Sequence, residues 1–333
     1  MVMTIERLAG RALVLAVLAA VGSCRPEGPA DRPAEAGFVA VVGAGQTDLL
    51  WPVLQAVTAR FQTVTPGILM RAEAPDQLSP NLQVQLIRRL RTEGARGLCV
   101  QVQDPSALAA ELESARAGGV VVVTLMQPVP SHPAFLHSGV DPVAVGAALA
   151  DALAEQIPGR GTVGVLYADD RLNWRLRRQG FLQRMVQHPH LTVLREFDCD
   201  GDPARAVRLM REATERFPGV DGWAAMDSWP VQAIDDGHSL LPPDCALVVP
   251  GPLPGIRLLL AADRCRAVVV ADYRAIVTRA LEMCCTVLQK EMVQVRTFQA
   301  PPRWVTQGNL DEFQRDWARW TATPEELVGT DAP

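Results

Sequence analysis

A few groups of residues in this chain have types and spacings that could do chemistry. Gly43, Ala44 and Gly45 follow an apolar run and begin like a phosphate-cradling GxGxxG loop. Asp48 stands where the third glycine belongs, so the dinucleotide fingerprint fails. Asp198, Asp200 and Asp202 alternate as calcium ligands do, but Pro203 occupies the sharp-turn glycine position and Leu209 that of the bidentate glutamate, which leaves a solvated loop. Asp169-Asp170 offers paired carboxylates at the end of a strand-like run, where helix capping competes with acid–base work. His132, His137, His188, His190 and His238 are scattered, and no GxSxG or nucleophile with a spaced base occurs. Cys284-Cys285 is vicinal and no CxxC or HxxxH appears, so zinc-ligand spacing is lacking. These patterns support no enzyme, no metal site and no cofactor.

The elements that would carry any other site follow from composition and periodicity. The chain has 333 residues, 48% of them apolar, enough for one or two packed domains. Its net charge of −5 offers no basic field for nucleic acid. From Phe38 onward, short strand-like runs alternate with segments of helical period. Runs such as VVVVTL (120–125) and RAVVVAD (266–272) are apolar throughout, as parallel strands covered by helices on both faces must be. The alternation predicts an α/β fold of two doubly wound parallel-sheet lobes, with a break near Ser138 to Asp141. The expected division is 38–140 plus 274–301 for the N-terminal lobe and 141–273 plus 302–325 for the C-terminal lobe. A chain that leaves and re-enters its lobes makes a multi-strand hinge, and hinged lobes close on something.

The amino terminus gives a separate signal. Arg7 and Arg11 precede an apolar run from Ala12 to Val21, about ten residues and too short to span a bilayer. It ends in Val21-Gly22-Ser23-Cys24, which resembles a bacterial lipobox, in which the cysteine is acylated and becomes the mature N-terminus. Residues 1–24 are therefore expected to be a lipoprotein signal peptide, Cys24 the lipidation site and RPEGPADRPAEAG (25–37) an extended tether. That places the protein outside the cytoplasm, anchored to a membrane by lipid, in an oxidising setting. Cys245 and Cys265 each precede an apolar run by a residue or two; if those runs are neighbouring parallel strands, the two thiols share a sheet edge and could form a disulfide.

Order and spacing along most of the chain, from about Phe38 to Asp311, resemble the type 1 periplasmic solute-binding proteins of the ribose-binding kind. The matching residues are Trp51 in TDLLW, Gln83, Asp104-Pro105, Gly139 to Gly146 in GVDPVAVG, and Arg177 with Gly180-Phe181 in RLRRQGF. They continue through Met210, Pro218 and Asp227 in RLMREATERFPGVDGWAAMD, then AVVVAD before Tyr273, and VTQGNLDEF. The resemblance implies a small polar solute, often a sugar, held between the lobes and handed to the permease of an ABC importer. It implies as ligand-binding residues Trp51, Gln127, Arg177, Asp227 and Asp272. Each has a structural alternative: Trp51 as a core tryptophan, Arg177 as a surface arginine, Asp227 as a cap for a helix near Trp229-Pro230.

The chain departs from the ribose-type pattern at several points. Met126-Gln127 replaces an Asp-Arg pair, Met226 replaces the asparagine before Asp227, Pro250-Gly251-Pro252 replaces Gly-Phe-Asp, and Gly201 stands where an aromatic is expected. Losing several charge-assisted hydrogen bonds at ~1.5 to 3 kcal/mol each argues against ribose itself. The ligand is then less hydroxylated or differently charged, or the cleft has lost binding. A ligand-presenting subunit of a membrane sensor and a non-binding interaction protein stand as alternatives. A repressor is disfavoured by a secretion signal where a DNA-binding headpiece would be.

Overall fold

The computed structural model describes residues 37–217, 219–233, 241–242, 244–251, 256–262 and 265–326. The leader, Cys24 and nearly all of the tether lie outside the described residues. Among the described residues no helix is long and apolar enough to cross a membrane.

Two six-stranded sheets organise the chain. The first holds β1 (Phe38–Val42), β2 (Leu69–Glu73), β3 (Ala95–Gln101), β4 (Val121–Met126), β5 (Leu136–Gly139) and β11 (Thr297–Gln299), in the order β11-β5-β4-β3-β1-β2. The second holds β6 (Gly161–Tyr167), β7 (Leu191–Asp198), β8 (Gly222–Ala225), β9 (Ala246–Pro250), β10 (Ala267–Val270) and β12 (Arg303–Val305), in the order β12-β10-β9-β8-β6-β7. Strand pairing is parallel except that β12 runs antiparallel to β10, with Val268 opposite Val305. The expected α/β architecture of two doubly wound lobes is thus observed, with one antiparallel edge. β1, β9 and β10 are buried at every position, as a strand sandwiched between helix layers requires.

The helices are α1 (Trp51–Val64), α2 (Pro80–Thr92), α3 (Pro105–Ala117), α4 (Pro142–Gln156), α5 (Leu172–Met185), α6 (Pro203–Arg216), α7 (Trp229–Gln232), α8 (Ile256–Ala261), α9 (Tyr273–Leu288) and α10 (Leu310–Thr321). Four of them start with the same device. Ser79, Asp104, Asp141 and Asp202 cap α2, α3, α4 and α6 through a side-chain oxygen, and each is followed by a proline at the first helical position. The cap satisfies an orphan amide, and the proline lacks an N–H that would have been unsatisfied there anyway.

The chain passes between sheets at three places: from β5 into α4, from β10 into α9, which packs on β3, β4 and β5, and from β11 to β12. α10 follows β12 of the second sheet yet leans on α1 of the first lobe. Arg60 of α1 donates to the carbonyls of Arg319 and Trp320 at 2.7 Å each, neutralising the negative end of α10. Within the segment 302–325, β12 joins the second sheet, and α10 packs on α1 while Arg303 of β12 pairs with its Glu312 and Asp316.

The expected pairing of Cys245 with Cys265 is not found; both are free thiols. β9 and β10 are parallel neighbours, but Ala267 lies level with Val248, so Cys265 is level with Ala246 and not with Cys245. A one-residue offset sends the two side chains to opposite faces. The Cys265 thiol donates instead to the carbonyls of Leu247 and Ala267, and burial pushes both thiols up to about 12.

Candidate functional site

Each strand that faces the opposing lobe ends in a loop, and these loops enclose a cleft of about 380 Å³. Its first wall comes from the loop after β1 (Ala44, Asp48, Leu50), the end of β3 (Gln101, Val102, Gln103) and the end of β4 (Met126, Gln127). The second comes from the start of α4 (Pro142, Val145), from Arg171, Asn173 and Arg177 of the α5 region, and from Asp227 and Ser228 after β8. Val269 to Ala271 and Tyr273 close it where β10 passes into α9. These are carboxyl ends of parallel strands, where open α/β sheets bind ligands.

The first wall is fixed by buried amides. Gln83 on α2 is fully buried and donates from Nε2 to the carbonyls of Gly43 at 3.0 Å and Gln101 at 2.7 Å. Gln101 in turn accepts from the Ala44 amide at 3.1 Å and donates to Asp48 Oδ1 at 3.0 Å. Asp48 Oδ1 also accepts from the Leu50 amide at 2.8 Å. Two neutral glutamines thus hold the β1–α1 loop against the ends of β1 and β3. Beside them, Gln103 presents a buried Oε1 with no partner.

The second wall depends on two glycines. A Cβ on Gly146 would lie 1.9 Å from the Arg177 carbonyl oxygen, and one on Gly180 would lie 2.0 Å from that of Val143. Without side chains at these points α4 and α5 come close enough to bring Arg177 onto the cleft. Arg177 Nη1 donates to the Met226 carbonyl at 2.9 Å and to Asp227 Oδ2 at 3.3 Å. Asp227 Oδ2 also accepts from Trp174 Nε1 at 2.5 Å, and its Oδ1 accepts from the Ser228 amide at 2.7 Å. Arg177 Nε is buried and has no partner.

Of the residues expected from sequence, Gln127, Arg177 and Asp227 meet at the cleft, and Trp51 and Asp272 do not line it. Trp51 is the first residue of α1, and its ring covers Gly43, where a Cβ would come within 2.8 Å. It packs against the core as a half-buried tryptophan. Asp272 accepts from the Ala275 amide at 2.8 Å and caps α9, which turns its carboxylate to the helix end. Asp227 does not cap the short helix after it, which begins from Ser228 without a side-chain cap.

Sequence reasoning missed Gln103, Asn173 and Tyr273. A polar residue two places past the end of β3 and another in the first turn of α5 were the available signal for the first two. Tyr273 donates its hydroxyl to the Gly251 carbonyl, and its ring meets the edges of Trp317 and Trp320. Burial pushes its pKa upward, so it is a neutral donor at the cleft floor. The position expected to hold an aromatic, Gly201, is answered differently: Trp174 lies 3.0 Å from where its Cβ would be.

Behind the first wall, His137 on β5 is buried with Nδ1 2.9 Å from the Thr124 hydroxyl. Burial holds its pKa down at about 4, against a bond to Thr124 that acts the other way. Among the described residues no group of three or more His, Cys, Asp or Glu could hold a metal ion. Asp202 caps α6 and Asp198 binds the Asp200 amide at 2.9 Å, so these aspartates close their own loop.

Two lobes of parallel sheet around a cleft at their strand ends define a bilobal binding protein. Residues 56–292 match the family described as periplasmic binding protein domain, and the chain belongs to that family. Its fold is shared by an ABC transporter solute-binding protein from Burkholderia graminis in complex with D-arabinose, 18% identical, with 83% of this chain and 97% of that one covered and a TM-score of 0.69. It is shared also by AraP, an arabinose-binding protein from Geobacillus stearothermophilus, 18% identical over 83% and 98% of the two chains, with a TM-score of 0.73. A third similar structure is the fructose-binding periplasmic domain of a hybrid two-component system, 16% identical over 85% and 95%, with a TM-score of 0.67. No curated protein matches the sequence.

Proposed function

We propose that this chain is a lipid-anchored, extracytoplasmic solute-binding protein. It captures a small polar solute, a sugar or sugar derivative, between its lobes and delivers it to the permease of an ABC importer. The observation that carries the reading is a pair of buried polar atoms without partners, Gln103 Oε1 on one wall and Arg177 Nε on the other. A buried unpaired polar group costs about 1 to 3 kcal/mol, so each atom calls for a partner that a polar solute drawn between the two walls can supply. Gln127 and Asn173 add amides able both to donate and to accept. The family and the arabinose-bound structural neighbour favour the same ligand class.

Calorimetric titration of the purified protein with a carbohydrate panel tests the proposal. Binding of at least one member is expected; heats at the level of dilution across the panel would refute it. Lipid attachment is tested separately by radiolabelled palmitate feeding, with label expected on the wild-type chain and lost on Cys24→Ala. The sensor domain among the structural neighbours favours a second reading, in which the loaded protein is presented to a membrane receptor. An importer gene beside this one would favour transport; solute uptake lost on deleting this gene, with no change in solute-dependent transcription, is expected in the first case and the reverse in the second.

A further inference from the structure

Resting on that reading, we infer that Met126 is a positioning residue for the ligand: its left-handed backbone forms a tight turn that directs the Gln127 amide into the cleft. Three described residues other than glycine have a positive φ, Met126 at 66°, Asp200 at 56° and Lys290 at 64°. Two of them are ordinary. Lys290 lies two residues past the end of α9, where helices commonly finish in the left-handed region, and Asp200 carries the short polar side chain that tolerates it in a loop. Neither reason applies to Met126, the last residue of β4, whose long apolar side chain stands on the cleft wall.

The backbone there is held from several sides. The Gln127 amide donates to the Leu125 carbonyl at 2.8 Å, which closes a three-residue turn around Met126, and the same carbonyl accepts from the Val102 amide at 3.2 Å. With φ at 66° this is the strained hand of such a turn. Gly139, level with Met126 on β5, makes room for it: a Cβ on Gly139 would lie 2.8 Å from the Met126 carbonyl oxygen. On the far side Pro128 confines Gln127 to extended backbone. Costly backbone conformations that their surroundings enforce gather where they orient a functional group.

The group oriented here is the Gln127 side chain. It lines the cleft, half-buried, and makes no hydrogen bond to another described residue. Its carboxamide accepts at Oε1 and donates at Nε2, so it can meet two neighbouring hydroxyls of one sugar ring. Gln83 and Gln101, by contrast, spend their amides on the backbone and on Asp48. A glutamine whose main chain is pinned on both sides meets a ligand with less backbone freedom to lose.

The full chain is titrated calorimetrically with a carbohydrate panel that includes D-glucose, D-galactose, L-arabinose and D-xylose, and the tightest binder becomes the probe for the variants. Gln127→Ala is expected to weaken its binding about ten-fold or more, a difference of about 1.4 kcal/mol. Met126→Ile, whose branched Cβ does not fit the left-handed region, should lose as much. Adding Gln127→Ala to it should lose little more, because both changes remove the same contact. Met126→Asn suits the turn but lacks the thioether, so it should recover most of what Met126→Ile loses. If Met126→Ile does not fold, Pro128→Gly frees the same amide from the other side: it should weaken binding in the wild-type background and add nothing to Gln127→Ala. Wild-type affinity in Gln127→Ala, additive losses, or a Met126→Asn as weak as Met126→Ile overturns the inference and leaves sugar binding standing. Absence of binding by every sugar of the panel overturns both.

Discussion

At the scale of single residues, Arg177 and Gln103 matter because each carries an atom that the fold buries and leaves without a partner. Arg177→Ala should weaken ligand binding by ~2 kcal/mol or more, as truncation of a desolvated arginine commonly does. Arg177→Lys separates charge from geometry: it keeps the cation but has no Nε donor, so a loss of ~1.5 kcal/mol in titration calorimetry is expected. Unchanged affinity in both variants would place the ligand elsewhere. His137 makes a different prediction. Its folded pKa of about 4 lies below the ordinary value of 6.5, so the unfolded chain takes up the proton first as pH falls. The stability associated with its neutral, buried ring is complete above pH 6.5 and is lost as pH drops from 6.5 toward 4, amounting to about 3 kcal/mol. Urea midpoints measured at pH 7.5, 5.5 and 4.5 should fall steeply in the wild type and less so in His137→Asn.

At the scale of elements, the close crossing of α4 and α5 is the most demanding piece of geometry. Gly180→Ala puts a methyl group 2.0 Å from a backbone carbonyl oxygen that has no rotamer to change. A loss of about 3 kcal/mol is expected in chemical denaturation, because overpacking against backbone cannot relax locally. The same substitution at an exposed turn such as Gly159, where an added Cβ meets nothing within 4 Å, should be nearly silent and serves as the control.

These elements also show what a reader of the sequence could and could not see. Helices α2, α3, α4 and α6 were legible by their helical period, and each starts at a Ser or Asp followed by Pro, a pair that marks a start on chemical grounds. Strand β5, Leu136–Gly139, is hard to see in a sequence that puts the break between lobes near Ser138 to Asp141, since His137, Ser138 and Gly139 carry no apolar run. Its burial comes from neighbours far along the chain, including the Ile276 carbonyl that accepts from Ser138 at 2.7 Å. Trp51 shows the complementary limit. Residue type announces a flat ring, but only the close packing over Gly43 decides which way the ring turns. Asp272 was legible as a strand-end carboxylate and illegible as a cap, because one residue of offset separates the two roles.

At the scale of the whole molecule, the arrangement is two sheets with three chain passages between them and a cleft at their strand ends. If the lobes close on ligand, small-angle scattering should record a smaller radius of gyration with the bound sugar than without it; identical profiles at saturation would exclude a clamshell motion. The cysteines offer a second molecular test. Under denaturing conditions without reductant, mass spectrometry should find Cys245 and Cys265 each alkylated, since their one-residue offset keeps them apart. A peptide pair linked through them would contradict the strand register.

The placement of α10 has an optical consequence. Trp317 and Trp320 stand with ring centroids 6.4 and 6.1 Å from that of Tyr273, whose hydroxyl reaches Gly251 on the rim of the cavity. Indole emission depends on the polarity and electric field around the ring. Filling the cavity alters both within one aromatic contact of two fluorophores. The protein thus carries a built-in, label-free dye, and a shift in its emission spectrum can report occupancy for solutes whose heats of binding are too small to measure.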